Sequence, residues 1–202
     1  MTREQPHRTH RRGPTPGGAP AARPPRRRTG AGPACLRRLP GVPTPPYVLE
    51  LRRSYGQGPL LLPGVCAVVV REDLEPGGSH LLLTRRSDTG WWALPAGIVE
   101  PGEQPAGTIE RELVEETCVV ARAERLAWVV AEDEITYPNG DRCRFITSVF
   151  RCRYLSGTAA VGDEESTEVG WFAVDALPEL DAVQQARIAA ALSDEERCRF
   201  ER

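Results

Sequence analysis

The residues best suited to chemistry in this 202-residue chain are three clustered glutamates, Glu112, Glu115 and Glu116. On a helix, Glu112 and Glu116 stand one turn apart on the same face, and Glu115 flanks them. Like charges at that spacing destabilise a helix by about 0.2–0.5 kcal/mol per pair. Placed in the last turns, they also face the negative end of the helix dipole. Arg111 can neutralise one of them, most naturally Glu115 at i+4. Glu112 and Glu116 are then left as two close carboxylates that need a counterion. Hard divalent cations take carboxylate oxygens, and Mg²⁺ keeps waters and substrate phosphates as its other ligands. On the helix alone, a solvated acidic face is an equally good reading.

The loop ahead of the helix decides between the two. Gly97 is followed after five residues by Glu103. Seven residues further on comes the run Arg111-Glu112-Leu113-Val114-Glu115-Glu116-Thr117-Cys118-Val119. This resembles the Nudix box of the Nudix hydrolase superfamily (MutT-like and ADP-ribose pyrophosphatase-like), G-x5-E-x7-R-E-U-x-E-E-x-G-U with U apolar. Every fixed position matches except the last glycine, where Cys118 stands. The stretch LLTRRSDTGWWALP, from Leu82 to Pro95, is similar to the family's strand and approach loop. Glu168 to Phe172 and Asp175 to Pro178 are similar to its closing strand, so the resemblance covers roughly residues 60–180.

The resemblance implies an α/β/α sandwich around a mixed β-sheet. It also implies a Mg²⁺-dependent hydrolase, with Mn²⁺ as a substitute, that cleaves the pyrophosphate bond of a nucleoside-diphosphate derivative. The substrate would be a nucleoside triphosphate, ADP-ribose or a nucleotide sugar. The products would be a nucleoside monophosphate and the other phosphorylated half. Metal binding falls to Glu112, Glu116, Glu115 and the backbone carbonyl of Ala96, while Arg111 and Glu103 brace the loop and helix. Family members supply a further acid from a loop ahead of the final strand. Within Asp163-Glu164-Glu165 the first choice is Glu165 and the second Glu164. Either Glu115 or Glu165 would take the proton from the attacking water. Arg85 and Arg86 are candidates for phosphate contact, although strand alternation lets only one face the site. Trp91, Trp92, Tyr137 and Phe145 are candidates to stack on a base. A catalytically silent module that senses a nucleotide or binds a partner is the alternative, and the intact carboxylate set argues against it.

The elements that must position these residues follow from periodicity. Pro105 suits a first helical position, and Ala106, Ile109 and Leu113 make an apolar stripe, so Pro105–Thr117 reads as a helix. A short amphipathic helix is expected from Tyr47 to Ser54. Leu61–Arg71 and His80–Arg86 read as a hairpin turning at Pro76–Ser79, and Trp91–Val99 as an extended segment. Val119–Glu134 and Arg142–Tyr154 read as strands joined by the Pro138–Asp141 turn. Glu168–Val174 reads as a last strand. A C-terminal helix from Asp181 to Leu192, extended toward Phe200, closes an α/β layered domain over residues 46–202. The substitution at Cys118 falls where a positive φ is usual, at a cost of about 1 kcal/mol or a changed helix exit.

Charge is unevenly spread. Residues 1–45 carry ten Arg against one acid, a charge of +9, and the remainder carries sixteen Arg against twenty-seven acids, a charge of −11. An acidic body binds polyanions poorly without a cation, so no stable nucleic-acid complex is expected. The Arg/Pro/Gly-rich segment 1–45 is too poor in large apolar side chains to offset its ordering entropy, and disorder is expected there. All basic residues are Arg and none is Lys, which reads as coding bias. The six cysteines form no C-x-x-C pair, and with three histidines they suggest reduced thiols rather than a zinc site. No apolar run reaches membrane-spanning length and no secretory pattern follows the basic N-terminus. A cytoplasmic enzyme acting on a small nucleotide is expected, with a homodimer left open.

Overall fold

A computed structural model describes residues 45–75, 77–137 and 140–201. The expected disorder of residues 1–45 and the turn residues Pro76, Pro138 and Asn139 lie outside the described residues, apart from Pro45. In chain order the elements are α1 (Pro46–Tyr55), β1 (Leu60–Arg71), β2 (His80–Arg86), β3 (Trp92–Ala93), β4 (Ala96–Ile98) and α2 (Pro105–Thr117). There follow β5 (Val119–Ala131), β6 (Ile135–Thr136), β7 (Arg142–Gly157), β8 (Ser166–Ala173), α3 (Ala182–Leu192) and β9 (Arg199–Phe200).

The strands form one mixed sheet in the order β3-β2-β1-β7-β5-β9, with β4 on β1, β6 on β7 and β8 on β2. β1 and β7 run parallel along eleven register pairs, from Leu60–Cys143 to Val70–Arg153. β1 is central, so both its faces are covered and its sequence is almost continuously apolar. Val65, Ala67 and Val69 pack with Ile109 and Leu113 of α2. The alternate residues Cys66, Val68 and Val70 pack with Ile188, Ala190 and Ala191 of α3. At the other end of that face, Leu60 and Leu62 pack with Val48 of α1. This is the expected sandwich of helices around a mixed sheet.

Two local readings need correction. The β1–β2 hairpin exists, but its register holds only Val70–Leu81 and Arg71–His80. Further along that edge β2 pairs with β3, while its other edge pairs along its whole length with β8, from His80–Ala173 to Arg86–Ser166. The helix at the C-terminus stops at Leu192 and does not run toward Phe200. Asp181 caps it at the start by accepting from the Gln184 N–H at 2.8 Å. The chain then returns as β9, a two-residue parallel addition to the outer strand β5. No helix among the described residues is long and apolar enough to cross a membrane.

Candidate active site

α2 forms where the sequence reading placed it, with Pro105 in its first turn and Ile109 and Leu113 fully buried. That packing fixes the rotation of the helix and so fixes where its acids point. Glu116 is drawn almost completely out of water, at 6% exposure. Glu112 lies under β4, where a Cβ on Gly97 would fall 2.5 Å from the Glu112 Cδ. The glycine is therefore needed for the loop and the carboxylate to share that space.

Arg111 organises the approach to the helix. Its guanidinium donates to both carboxylate oxygens of Glu103, at 2.8 and 3.0 Å. Glu103 Oε2 also accepts from the Thr108 hydroxyl and from the Glu100 N–H, at 2.9 and 3.2 Å, so the loop is clamped onto the first turns of α2. These bonds hold the Glu103 carboxyl down at about 2, with Arg111 the largest cause. Arg111 Nη1 also donates to Glu115 and to Glu112, each at 3.0 Å. Glu112 is thus not left without a partner, as the i+4 argument alone suggested. A guanidinium has five N–H donors, and here one cation serves three carboxylates.

The remaining acids gather around Glu116. A cleft is lined by Arg86, Leu94, Ala96, Glu116 and Glu165, which brings together residues from β2, the β3–β4 segment, α2 and the loop before β8. Burial raises the Glu116 carboxyl well above the ordinary carboxylate range, and the nearby charges of Glu112, Glu165 and Asp163 raise it further. Burial likewise lifts Glu112 to about 7, against the pull of Arg111. Glu165 keeps much of its surface in solvent at the rim of the cleft. Its carboxyl is nonetheless raised, first by the protein packed around it and then by Asp163. A larger groove between α3 and the Arg197–Phe200 segment holds none of these acids.

The two arginines of β2 separate as strand alternation requires. Arg86 faces the cleft, held by a two-point pairing with Asp88 at 2.8 and 2.6 Å. Arg85 turns to the other face, where it pairs with Glu168 of β8 at 2.6 Å. Glu164 is exposed. Among the stacking candidates, Tyr137 is half-buried within electrostatic reach of Arg86, while Trp92 packs edge-on against Phe172 at 4.8 Å. Trp91 is exposed and Phe145 packs beside α1's core.

Two positioning features went unseen in the sequence. The segment leading to Glu165 is fastened to the end of α2, with the Ala160 N–H donating to Thr117 O at 3.1 Å and the Gly162 N–H to Glu116 O at 2.9 Å. Its far end is tied beside Arg86, through the Ser87 N–H to Glu165 O at 2.8 Å. The isolated glycine before an acidic triplet was the available signal. Cys118, in turn, keeps the left-handed helix exit, at φ 57° and ψ 17°, instead of forcing another, and it is disulfide-bonded where a reduced thiol was expected.

The donor set fits a hard divalent cation. Carboxylates outnumber cations, Ala96 lines the same cleft, and no thiolate or imidazole lines it. Among the described residues, no three His, Cys, Asp or Glu side chains are already gathered in coordinating geometry. Arg111 holds Glu112 and Glu115 instead, so the fit is one of charge and donor type.

Comparison with known proteins agrees. Residues 60–192 match the NUDIX domain. A MutT-like protein of Streptomyces ambofaciens is 36% identical over 121 residues, covering 60% of this chain and 70% of that protein. The NAD-capped RNA hydrolase NudC of Pseudomonas syringae is 33% identical over 130 residues, covering 61% of this chain but only 40% of its own length. The crystal structure of a UDP-X diphosphatase superposes with a TM-score of 0.54 at 25% identity, over 76% of this chain and 73% of that one. With the carboxylate helix, the braced loop and the sandwich fold all in place, the chain belongs to the NUDIX family of pyrophosphohydrolases.

Proposed function

We propose that this enzyme hydrolyses the pyrophosphate bond of a nucleoside-diphosphate derivative, with Mg²⁺ or Mn²⁺ held by Glu112, Glu116, Glu115 and the Ala96 carbonyl. The observation that carries this reading is the confinement of Glu116 in one cleft with Glu165 and Arg86, two groups of opposite charge. Bound cations supply charge neutralisation at the phosphate oxygens and a lower pKa for the attacking water.

The protein's own residues do the rest. Arg86 holds a phosphate oxygen at the mouth of the cleft. Glu165 takes the proton as water attacks phosphorus, because its carboxylate lies at the rim while Glu115 is engaged by Arg111. One P–O bond forms, the bridging P–O bond breaks, and the leaving phosphate carries away the electron pair. Glu103 and Arg111 keep loop and helix in register throughout. Two relatives support a nucleoside diphosphate joined to a variable group, since one is described as acting on NAD-capped RNA and the other as a UDP-X diphosphatase.

Release of nucleoside monophosphate from nucleoside triphosphates, ADP-ribose, NAD and nucleotide sugars, with Mg²⁺ or Mn²⁺ against EDTA, tests the proposal. Metal-dependent turnover of at least one compound is expected. A chain that binds these nucleotides but turns none over would be a silent module instead.

A further inference from the structure

The segment that carries the Ala96 carbonyl has an unusual support. Leu94 falls between β3 and β4, outside both ladders, and it lines the cleft while itself buried. A buried N–H needs an acceptor, because without one it loses its hydration and gains nothing in return. The acceptor is supplied from ninety residues away: Gln184 Oε1 of α3 takes the Leu94 N–H at 3.2 Å. Gln184 is fixed in turn, because its own N–H is held by the Asp181 cap. One turn along the same face of α3, Arg187 is buried with Glu132 as its ion-pair partner, and its Nη1 lies 3.9 Å from the Cys66 sulfur. Cys66 is the register partner of Ala96 on β1. The next link holds as well, since the Ala67 N–H donates to Pro95 O at 2.9 Å. One face of α3 therefore touches both the Leu94–Ala96 segment and the strand behind it.

We propose that Gln184 is a positioning residue for the metal site: by holding the Leu94 N–H, it sets the direction in which the Ala96 carbonyl points into the cleft. This rests on the assignment of that carbonyl as a metal ligand under the proposed function. Groups that orient a ligand from behind typically change metal affinity or activity by about 10–100-fold when removed. The other known elements of the site, the box loop and α2, contain no residue of α3. The C-terminal helix thus joins the catalytic apparatus without facing the substrate.

The test uses the full-length protein and Mn²⁺ alone, with free Mn²⁺ followed by electron paramagnetic resonance and folding checked by thermal unfolding. Three variants are needed. Gln184→Met keeps length and loses the acceptor, Gln184→Asn keeps the amide but falls one methylene short, and Gln184→Glu keeps an acceptor in place. Either Met or Asn decides the matter if the other does not fold. The folded Met or Asn variant should bind Mn²⁺ about tenfold more weakly, with kcat reduced and nucleotide KM within about twofold of wild type. The Glu variant should match wild type on all three measures. A variant without the acceptor that binds Mn²⁺ like wild type, whatever its melting temperature, overturns the positioning role and leaves the hydrolase reading intact. A Glu variant as impaired as the Met variant also overturns it. Failure of the wild-type protein to bind Mn²⁺ would sink the metal assignment, and this inference with it.

Discussion

Gly162 and Glu116 are joined through their backbones: the glycine N–H donates to the glutamate carbonyl at 2.9 Å, at the end of the helix that carries the acids. The contact leaves no room for a side chain. A Cβ on Gly162 would lie 1.9 Å from the Glu115 carbonyl oxygen, a backbone atom that cannot swing aside.

Gly162→Ala should therefore push the Asp163–Glu165 segment away from α2. A displacement of about 1 Å near the reacting groups can cost about 100-fold in rate. The expected result is a fall in kcat of about 10–100-fold with a smaller change in KM, measured by steady-state kinetics. Unchanged kcat would show that Glu165 has no part in the reaction.

Replacing Glu116 by Gln separates stability from activity. A carboxyl whose folded-state pKa is raised binds more protons folded than unfolded. Its favourable contribution is complete below the ordinary value, 4.5, and is lost as pH rises from there toward the folded value. The metal-free wild type should lose stability as pH rises above about 4.5, and Glu116→Gln should lose less. At pH 7.5 the metal-free variant should melt a few degrees higher, at about 2–4 °C per kcal/mol for a chain of this size. Turnover should fall more than about 100-fold, beyond the usual effect of removing an outer partner. A variant that melts lower than wild type at pH 7.5 contradicts the charge argument.

The neighbouring arginines of β2 predict opposite behaviour. Arg86→Ala removes the cation that lines the cleft, and loss of a charge-assisted hydrogen bond (about 1.5–3 kcal/mol) should raise nucleotide KM at least tenfold. Arg85→Ala breaks an exposed pair with Glu168 and a bond to the Gly90 carbonyl, both away from the cleft, and should leave KM and kcat within about twofold. Equal losses in the two variants would mean that β2 is turned differently in the working enzyme.

Cys118 is disulfide-bonded, and once that bond is reduced Cys118→Gly should help rather than harm. The left-handed conformation costs a residue with a Cβ about 1–2 kcal/mol, while glycine loses about 0.4–1 kcal/mol more on folding. The net expectation is a slightly higher melting temperature in the presence of reductant, with kcat unchanged. A lower melting temperature would show that the cysteine side chain itself contributes to the helix end.

Much of the site was readable because it is local. Pro105, Ile109 and Leu113 specify α2, and a helix of known rotation places Glu112 and Glu116 together. Glu103 and Arg111 lie within the same stretch, so its resemblance to the Nudix box linked them. What the sequence hid depends on contacts between distant segments. The turn after β1 signals a hairpin, but nothing local announces that β8 will take the other edge of β2. Gly162 carries no side chain to read, and Gln184 is one more polar residue on an amphipathic helix until the Leu94 N–H is seen to need it. Residues beyond Leu192 continue a helical composition, yet the pairing of Arg199 and Phe200 with Trp128 and Val129 wins.

That pairing has a consequence for how the molecule meets its own kind. β5 is the outer strand on its side of the sheet, and an open outer strand invites recruitment of further strands. Between Val120 and Trp128 it shifts register against β7 at three places, which kinks the backbone away from a flat template. Its second half is plugged by β9, with the Arg199 guanidinium laid over the Trp128 ring at 4.3 Å. Uncontrolled growth of the sheet from molecule to molecule is thereby discouraged along both halves of this border.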